Sequence, residues 1–229
     1  DPHIHESVAG IVAGRVKEKY NRPTIVLTRG KEGIKGSARS IEGYHIFNEL
    51  NKVSHLLERF GGHPMAAGLS LKDANLEQLG EMLNRNSRLT EDDLTPKLYI
   101  EMPMDPGAFD WNLLSEIEKL EPFGKGNPKP LFGFKGLKIH KAAILGKNSN
   151  VLKLIIGKDY TEKLEGMVFS DPKMWVSGAR DSFGQQEVEN ALAGQRNSIC
   201  MDIVYYPSVN DYMGRKSIQF IIDSYRFKE

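Results

Sequence analysis

The sequence predicts two domains, an α/β layer over residues 1–95 and an all-β barrel or sandwich with a short inserted helix over residues 96–229. Three observations predict it. Helical and strand periodicities alternate through the first part of the chain, the signature of an α/β layer. The texture changes near Asp92, Leu94, Thr95 and Pro96. Beyond that point short strand candidates dominate at near-regular spacing.

Val8, Ile11, Val12 and Val16 recur at helical spacing, with Ala9, Gly10 and Ala13 between them. They predict a helix over about residues 6–19 that packs closely on a neighbour. Pro23 to Thr28 reads as a short buried strand, Gly30 to Gly33 as a turn, and Ile34 to Arg39 as a second strand. Tyr44, Phe47, Leu50 and Leu57 predict a helix over roughly 44–59, broken by Phe60-Gly61-Gly62-His63-Pro64. Met65-Ala66-Ala67 suggests one helical turn, Gly68 to Leu71 a strand, and Leu76, Leu79 and Leu83 a further helix.

In the second domain Leu98-Tyr99-Ile100 begins a strand, and Leu113, Leu114, Ile117 and Leu120 mark the short amphipathic helix. The stretch from Pro122 to Pro130 is too rich in Pro and Gly for regular structure. Strands are expected at 131–134, 137–144, 151–156, 164–169, 199–206 and 218–225. Asn210-Asp211 and Met213-Gly214 supply turn residues between the last two.

Composition narrows the class. The chain is 40% hydrophobic and 27% charged, ordinary for a globular protein. No apolar run approaches the ~18 residues that cross a bilayer. The single cysteine, Cys200, forms no internal disulfide, which suits a cytoplasmic home, and its flank reads as a strand with a packed thiol. Net charge is +1, but the stretch from Phe123 to Lys158 holds eight lysines and no acid: Lys125, Lys129, Lys135, Lys138, Lys141, Lys147, Lys153 and Lys158. Such a stretch is either the footprint of a polyanion site or a solvated face. The opening Asp1-Pro2-His3-Ile4-His5 lacks Met and runs straight into a helical pattern, so a piece of a longer protein is expected.

Two motifs point to anion chemistry. In Gly36-Ser37-Ala38-Arg39-Ser40 a glycine permits close backbone approach, while two hydroxyls and a guanidinium can surround one phosphate. The same residues also suit a strand end running into a polar loop. In Gly61-Gly62-His63-Pro64-Met65-Ala66-Ala67-Gly68 paired glycines free a turn whose N–H groups can face an anion. Pro64 would open a helical turn whose dipole favours negative charge, with His63 beside it. His5, just before the first helix, can either cap it or touch a ligand.

In order and spacing, these motifs resemble the RecJ and DHH phosphoesterase superfamily. The DHH-associated domain of that family carries a His followed by a Gly-Ile-Val-Ala helix, then Gly-Ser-X-Arg-Ser, then Gly-Gly-His-X-X-Ala-Ala-Gly. Here these stand as His5 with Gly10 to Ala13, as Gly36 to Ser40, and as Gly61 to Gly68. Two positions depart: Ile4 stands where the family often has Trp, and Ser7 where it often has Gly. Leu120 to Pro130 is similar to the linker by which RecJ proteins continue into an OB-fold, and Met213 to Gln219 looks like its last hairpin.

The resemblance implies the substrate-binding portion of a 5′→3′ single-stranded-DNA exonuclease of repair and recombination, inactive alone. Its partners would be single-stranded DNA and its own N-terminal DHH domain. Mn2+ or Mg2+ would sit in that domain; no Asp-His-His occurs here, and Asp1, His3 and His5 are expected to form no metal site. Ser37, Arg39 and Ser40 would hold a terminal or penultimate phosphate, and His63 with Gly61 and Gly62 would lie near the scissile one. In the OB-fold Lys135, Lys138, Lys141, Lys147 and Lys153 would guide the strand. Phe132, Phe134 and Tyr206 either stack on bases or pack in the core. The rival readings are another DHH phosphoesterase acting on short oligonucleotides, and a non-catalytic single-strand-binding module.

Overall fold

The computed structural model describes residues 5–30, 33–124 and 126–228. Asp1, His3, Lys125 and residues 31 and 32 of the turn at 30–33 lie outside the described residues. The chain forms two compact units, one ending at Leu98 and one starting at Tyr99.

The first unit runs α1 (Glu6–Tyr20), β1 (Thr24–Gly30), β2 (Gly33–Arg39), α2 (Ile46–Lys52), β3 (Leu57–His63), β4 (Ala66–Leu71), α3 (Leu76–Asn86) and α4 (Glu91–Leu94). The strands form one antiparallel sheet in the order β1-β2-β4-β3. Side chains alternate across a strand. Ile34, Ala38, Leu69 and Leu71 therefore share one face and join Ile46, Leu50 and Leu79 of the helices in a core. The opposite face of β1 and β2 carries α1.

That helix corrects the apolar stripe. Ala9 and Ala13 are buried, whereas Val8 and Ile11 are 41% and 66% exposed. Close approach to the sheet selects small side chains. A Cβ on Gly10 would stand 2.7 Å from Arg39 Nη2, so the glycine admits the guanidinium.

The helix predicted over 44–59 ends at Lys52. His45 starts it, its Nδ1 accepting the Asn48 N–H. A 3-10 turn over Ser54–Leu56 then feeds directly into β3. The Gly61-Gly62 segment is thus strand, and no helical turn follows Pro64; the anion-facing helix dipole expected there does not exist. The glycines make a different geometry possible. A Cβ on Gly62 (φ +156°) would lie 2.3 Å from the Ala66 carbonyl oxygen, so only glycine lets β3 approach β4 this closely. The hairpin is tied down by Ile46 N–H donating to the Pro64 carbonyl and Ser40 N–H to that of Met65.

The second unit runs β5 (Met102–Pro103), α5 (Trp111–Glu118), β6 (Phe132–Leu145), β7 (Val151–Gly157), β8 (Leu164–Val168), α6 (Pro172–Phe183), α7 (Gln185–Ala193), β9 (Cys200–Tyr212) and β10 (Arg215–Phe227). Sheet neighbours follow the order β5-β6-β7-β8-β10-β9, and β9 pairs back onto β6. The sheet is mixed, since β8 and β10 run parallel. Leu98 to Ile100 is not strand. The two strands expected at 131–134 and 137–144 are one, β6, kinked where the pairing with β9 shifts register. Gly136 occupies that bulge at φ +73°, its N–H donating to Asp202 Oδ1 at 2.9 Å. The last hairpin turns on Met213 and Gly214, both at positive φ, while Asn210 and Asp211 belong to β9.

The helices α6 and α7 fill the interval between β8 and β9 that the strand pattern leaves blank. Asp171 caps α6 ahead of Pro172 at its first turn, and Gly194 in the left-handed region ends α7. Trp175 of α6 is fully buried and joins a core containing Phe109, Phe132, Tyr205 and Phe220. Phe132 packs its ring 5.1 Å from that of Phe109, which makes it a core residue and not a platform for bases. Burial pushes the Cys200 thiol pKa up, as befits a packed side chain.

Candidate functional site

The register of the first sheet assembles the two motifs. Arg39 pairs with Ala66, and Ala66 with His63. Ser37 pairs with Gly68, and Gly68 with Gly61. Residues in such a row project from the same face. Arg39 and His63 thus flank one row, about 10 Å apart by two inter-strand spacings. The neighbouring row, Ser37-Gly68-Gly61, carries almost no side chain. This face lies opposite the core, and α1 covers only its β1–β2 half.

A groove of about 670 Å³ opens here, lined by Glu6, Ser7, Ser37, Gly61, Gly68 and Ser70 among others. Its floor is bare because of its glycines. A Cβ on Gly61 would meet nothing within 4 Å, and one on Gly68 only the Gly36 carbonyl at 4.0 Å. Neither position needs glycine for packing.

The polar groups are preset. Arg39 Nη1 donates to Ser37 Oγ at 3.1 Å and to its neighbour's carbonyl, Ala38 O, at 2.8 Å. His63 is exposed, and its Nδ1 accepts the Met65 N–H at 3.3 Å. That tautomer leaves Nε2–H free to donate. Arg39 and His63 stand on the row beside the bare floor and are not among the residues that line the groove, which extends from that floor toward Lys35, Ser70 and Arg59.

Two predicted residues are placed otherwise. Ser40 is 1% exposed and its hydroxyl donates to the Tyr44 carbonyl, so it braces the loop and does not face the groove. His5 is the N-cap of α1, its Nδ1 accepting the Ser7 N–H. Sequence reasoning missed Lys35 and Arg59, and it quoted Gly10 and Gly68 only as members of their motifs without a role of their own. The alternation Lys35-Ser37-Arg39 was the available signal for the first of these rows.

In the second unit the five lysines do not form one track. Lys135 lines an apolar groove of about 780 Å³ with Phe134 and Tyr225. Lys138 lies over the Tyr160 ring, 5.0 Å from its centroid. Lys141 and Lys153 project from the outward side of β6 and β7, but Lys153 is bound to Glu165 at 2.6 Å. Lys147 sits exposed in the β6–β7 loop. Tyr206 carries Lys129, 4.2 Å from its ring centroid.

Among the described residues no group of three or more His, Cys, Asp or Glu side chains is placed to hold a metal ion. Nor is any helix among them long and apolar enough to cross a membrane.

A sheet domain with a glycine-floored groove, joined to a mixed β unit, defines a class: the DHHA1 domain matches residues 1–90 and the RecJ OB domain residues 100–224. The chain belongs to the RecJ family. It is 29% identical over 229 residues to the single-stranded-DNA-specific exonuclease RecJ of Haemophilus influenzae, covering 97% of this chain and 37% of that protein. With the Bacillus subtilis enzyme of the same name it shares 32% identity over 219 residues, covering 94% and 26%. Among solved structures, RecJ of Thermus thermophilus in complex with Mg2+ superposes with a TM-score of 0.74 at 24% identity, covering all of this chain and 32% of that one. The same protein was also solved with Mn2+. The chain therefore spans about a quarter to a third or slightly more of the relatives it matches.

Proposed function

We propose that this chain is the strand-holding part of a RecJ-type 5′→3′ single-stranded-DNA exonuclease. One observation carries the reading: Arg39 and His63 stand on the same sheet row beside a side-chain-free floor, in a DHHA1 domain. Arg39 offers a planar fork to a phosphate, Ser37 steadies that fork, and His63 donates from the far side. Ser37, Arg39, Gly61 and His63 remain the proposed site; Gly62, on the opposite row with Ala67, sets the close approach of the strands, and Ser40 and His5 support the site structurally. The domain division is taken near residue 95. The cycle of pairings β6-β7-β8-β10-β9-β6 supports an OB-type barrel for the second part, with its lysines meeting the strand.

The Mn2+ or Mg2+ of the parent reaction is assigned to the catalytic DHH domain, a reading supported by the relative that was solved with each of these ions. No step assigned to this chain runs through them. Its own residues bind and orient phosphate.

The test is binding of 5′-phosphorylated and 5′-hydroxyl oligothymidylates to the chain, followed by fluorescence anisotropy at about 50 and 200 mM salt. Salt-dependent binding with a 5′-phosphate preference that Arg39→Ala abolishes is expected. Binding with no such preference, or a preference that survives Arg39→Ala, would overturn the reading.

A further inference from the structure

Within the second unit, three separate segments bring cations to one pocket. The β6–β7 pairing shifts register between Ile139 and Lys141, and this bulge places His140 and Lys141 at the pocket wall. The β7–β8 turn contributes Tyr160 and Lys163. After α7, Gly194 in the left-handed region reverses the chain and returns Arg196 to the same place. A Cβ on Gly194 would press on the Lys141 side chain at 3.3 Å, so the turn and the lysine are fitted to each other.

Tyr160 organises the cluster. Its hydroxyl donates to the Asn197 carbonyl at 2.8 Å, which fixes the ring. The Arg196 guanidinium and the Lys138 ammonium each lie 5.0 Å from its centroid. An aromatic face holds a cation without neutralising it. None of Lys138, Lys141, Lys163 and Arg196 has an ion-pair partner among the described residues, and no acid lines the pocket, whose volume is about 510 Å³. The two nearest acids of the turn are already engaged. Asp159 accepts from Thr161 and from the Glu162 N–H, and Glu162 accepts the Lys158 N–H. His140 adds a buried Nε2 with no hydrogen-bond partner.

We propose that this pocket binds a backbone phosphate of single-stranded DNA, a contact separate from the groove of the first unit. It rests on the reading that the second unit handles the strand. The chemistry favours phosphate over an acidic peptide. Ile155 and the Tyr160 ring are the apolar lining, and the ring already carries two cations, so no socket remains for a peptide side chain. What the site offers is concentrated positive charge with a guanidinium fork, which suits a tetrahedral oxyanion.

The test compares the whole chain with a Lys163→Gln/Arg196→Gln double variant and with Arg39→Ala, all titrated with a 5′-phosphorylated oligothymidylate across a salt series. Each phosphate contact contributes about 0.7 to the salt slope for a single strand. The double variant should lower the slope by about 0.7, the loss of one phosphate contact, and weaken binding about tenfold at about 50 mM salt, while keeping the 5′-phosphate preference. Arg196→Lys should recover most of the slope, since the charge is retained. If the double variant binds like the parent while Arg39→Ala is impaired, the pocket assignment fails and the wider reading stands. If neither variant differs from the parent, both fail. If a hexaglutamate peptide binds the parent more tightly than the oligonucleotide and loses that binding in the double variant, the pocket belongs to an acidic protein partner and the proposal is overturned.

Discussion

The two adjacent glycines of β3 should respond to alanine in opposite ways. At Gly62 the new Cβ would lie 2.3 Å from the Ala66 carbonyl oxygen and 2.6 Å from Ala67 Cα, both backbone atoms that cannot swing aside. The residue also sits at φ +156°. Backbone strain of that kind costs about 1–3 kcal/mol, and overpacking about as much again. A loss of ~3 kcal/mol lowers the melting temperature of a unit this size by roughly 12–24 °C. At Gly61 a Cβ meets nothing within 4 Å. There alanine should leave stability unchanged or raise it by a few tenths of a kcal/mol, since glycine is the poorer strand residue. It would, however, put a methyl on the groove floor, and binding of a 5′-phosphorylated oligonucleotide should drop. Differential scanning calorimetry and anisotropy on the two variants separate the effects. A Gly62→Ala protein melting within about 2 °C of the parent would refute the packing argument. A Gly61→Ala protein binding normally would show that no ligand approaches the floor closely.

Two more expectations come from the same structure. Gly10→Ala should favour α1 by up to about 1 kcal/mol in helix propensity, yet displace the Arg39 guanidinium, whose Nη2 stands 2.7 Å from the new Cβ; isothermal titration should show weaker phosphate-end binding despite undiminished helicity, and unchanged affinity would count against the placement of Arg39. Burial works against ionisation of Asp202, but hydrogen bonds from Arg226 and the Gly136 N–H outweigh it and hold its pKa below the usual carboxylate range. Its stabilising effect is therefore complete above the unfolded value of about 3.9 and fades as pH falls through the lower folded value. Asp202→Asn should cost about 1 kcal/mol at neutral pH, the exposed Arg226 limiting the effect. In urea melts the gap from the parent should close in strong acid; a gap independent of pH would exclude this origin.

Much of the architecture is legible in the residues. The alternation of helix and strand through the first unit and the run of strands after residue 130 correspond to observed elements, and no helix or strand is assigned to the described part of the Pro-rich passage at 122–130. What failed did so for identifiable reasons. Leu57 fits the helical period of Tyr44, Phe47 and Leu50, yet belongs to β3, because the helix has already closed at Val53 through its N–H to Leu50. The Gly-Gly-His segment reads as loop by glycine content, but only strand pairing, a long-range property, reveals Gly62 as a close-approach residue. The helices α6 and α7 carry local signals in Asp171-Pro172 and Gly194, which a reading for strand alternation overlooks. The residue types of the candidate site can be read from the sequence; its row geometry cannot, since register depends on pairing between β2 and β4, far apart in the chain. Ser40 illustrates the limit: its hydroxyl suits phosphate chemically, and only burial shows it turned inward.

The long strand β6 has a consequence for how the second unit comes into being. Its first half is hydrogen-bonded to β9, with Phe132 opposite Tyr205, and its second half to β7, with Leu145 opposite Val151. The latter partner emerges within a few residues of synthesis, the former only much later. A nascent chain can thus zip the distal half into a hairpin early, while the proximal half, with Phe132 and its aromatic neighbours, must wait with one edge open. The proximal edge of β6 is therefore completed only once β9 has been made.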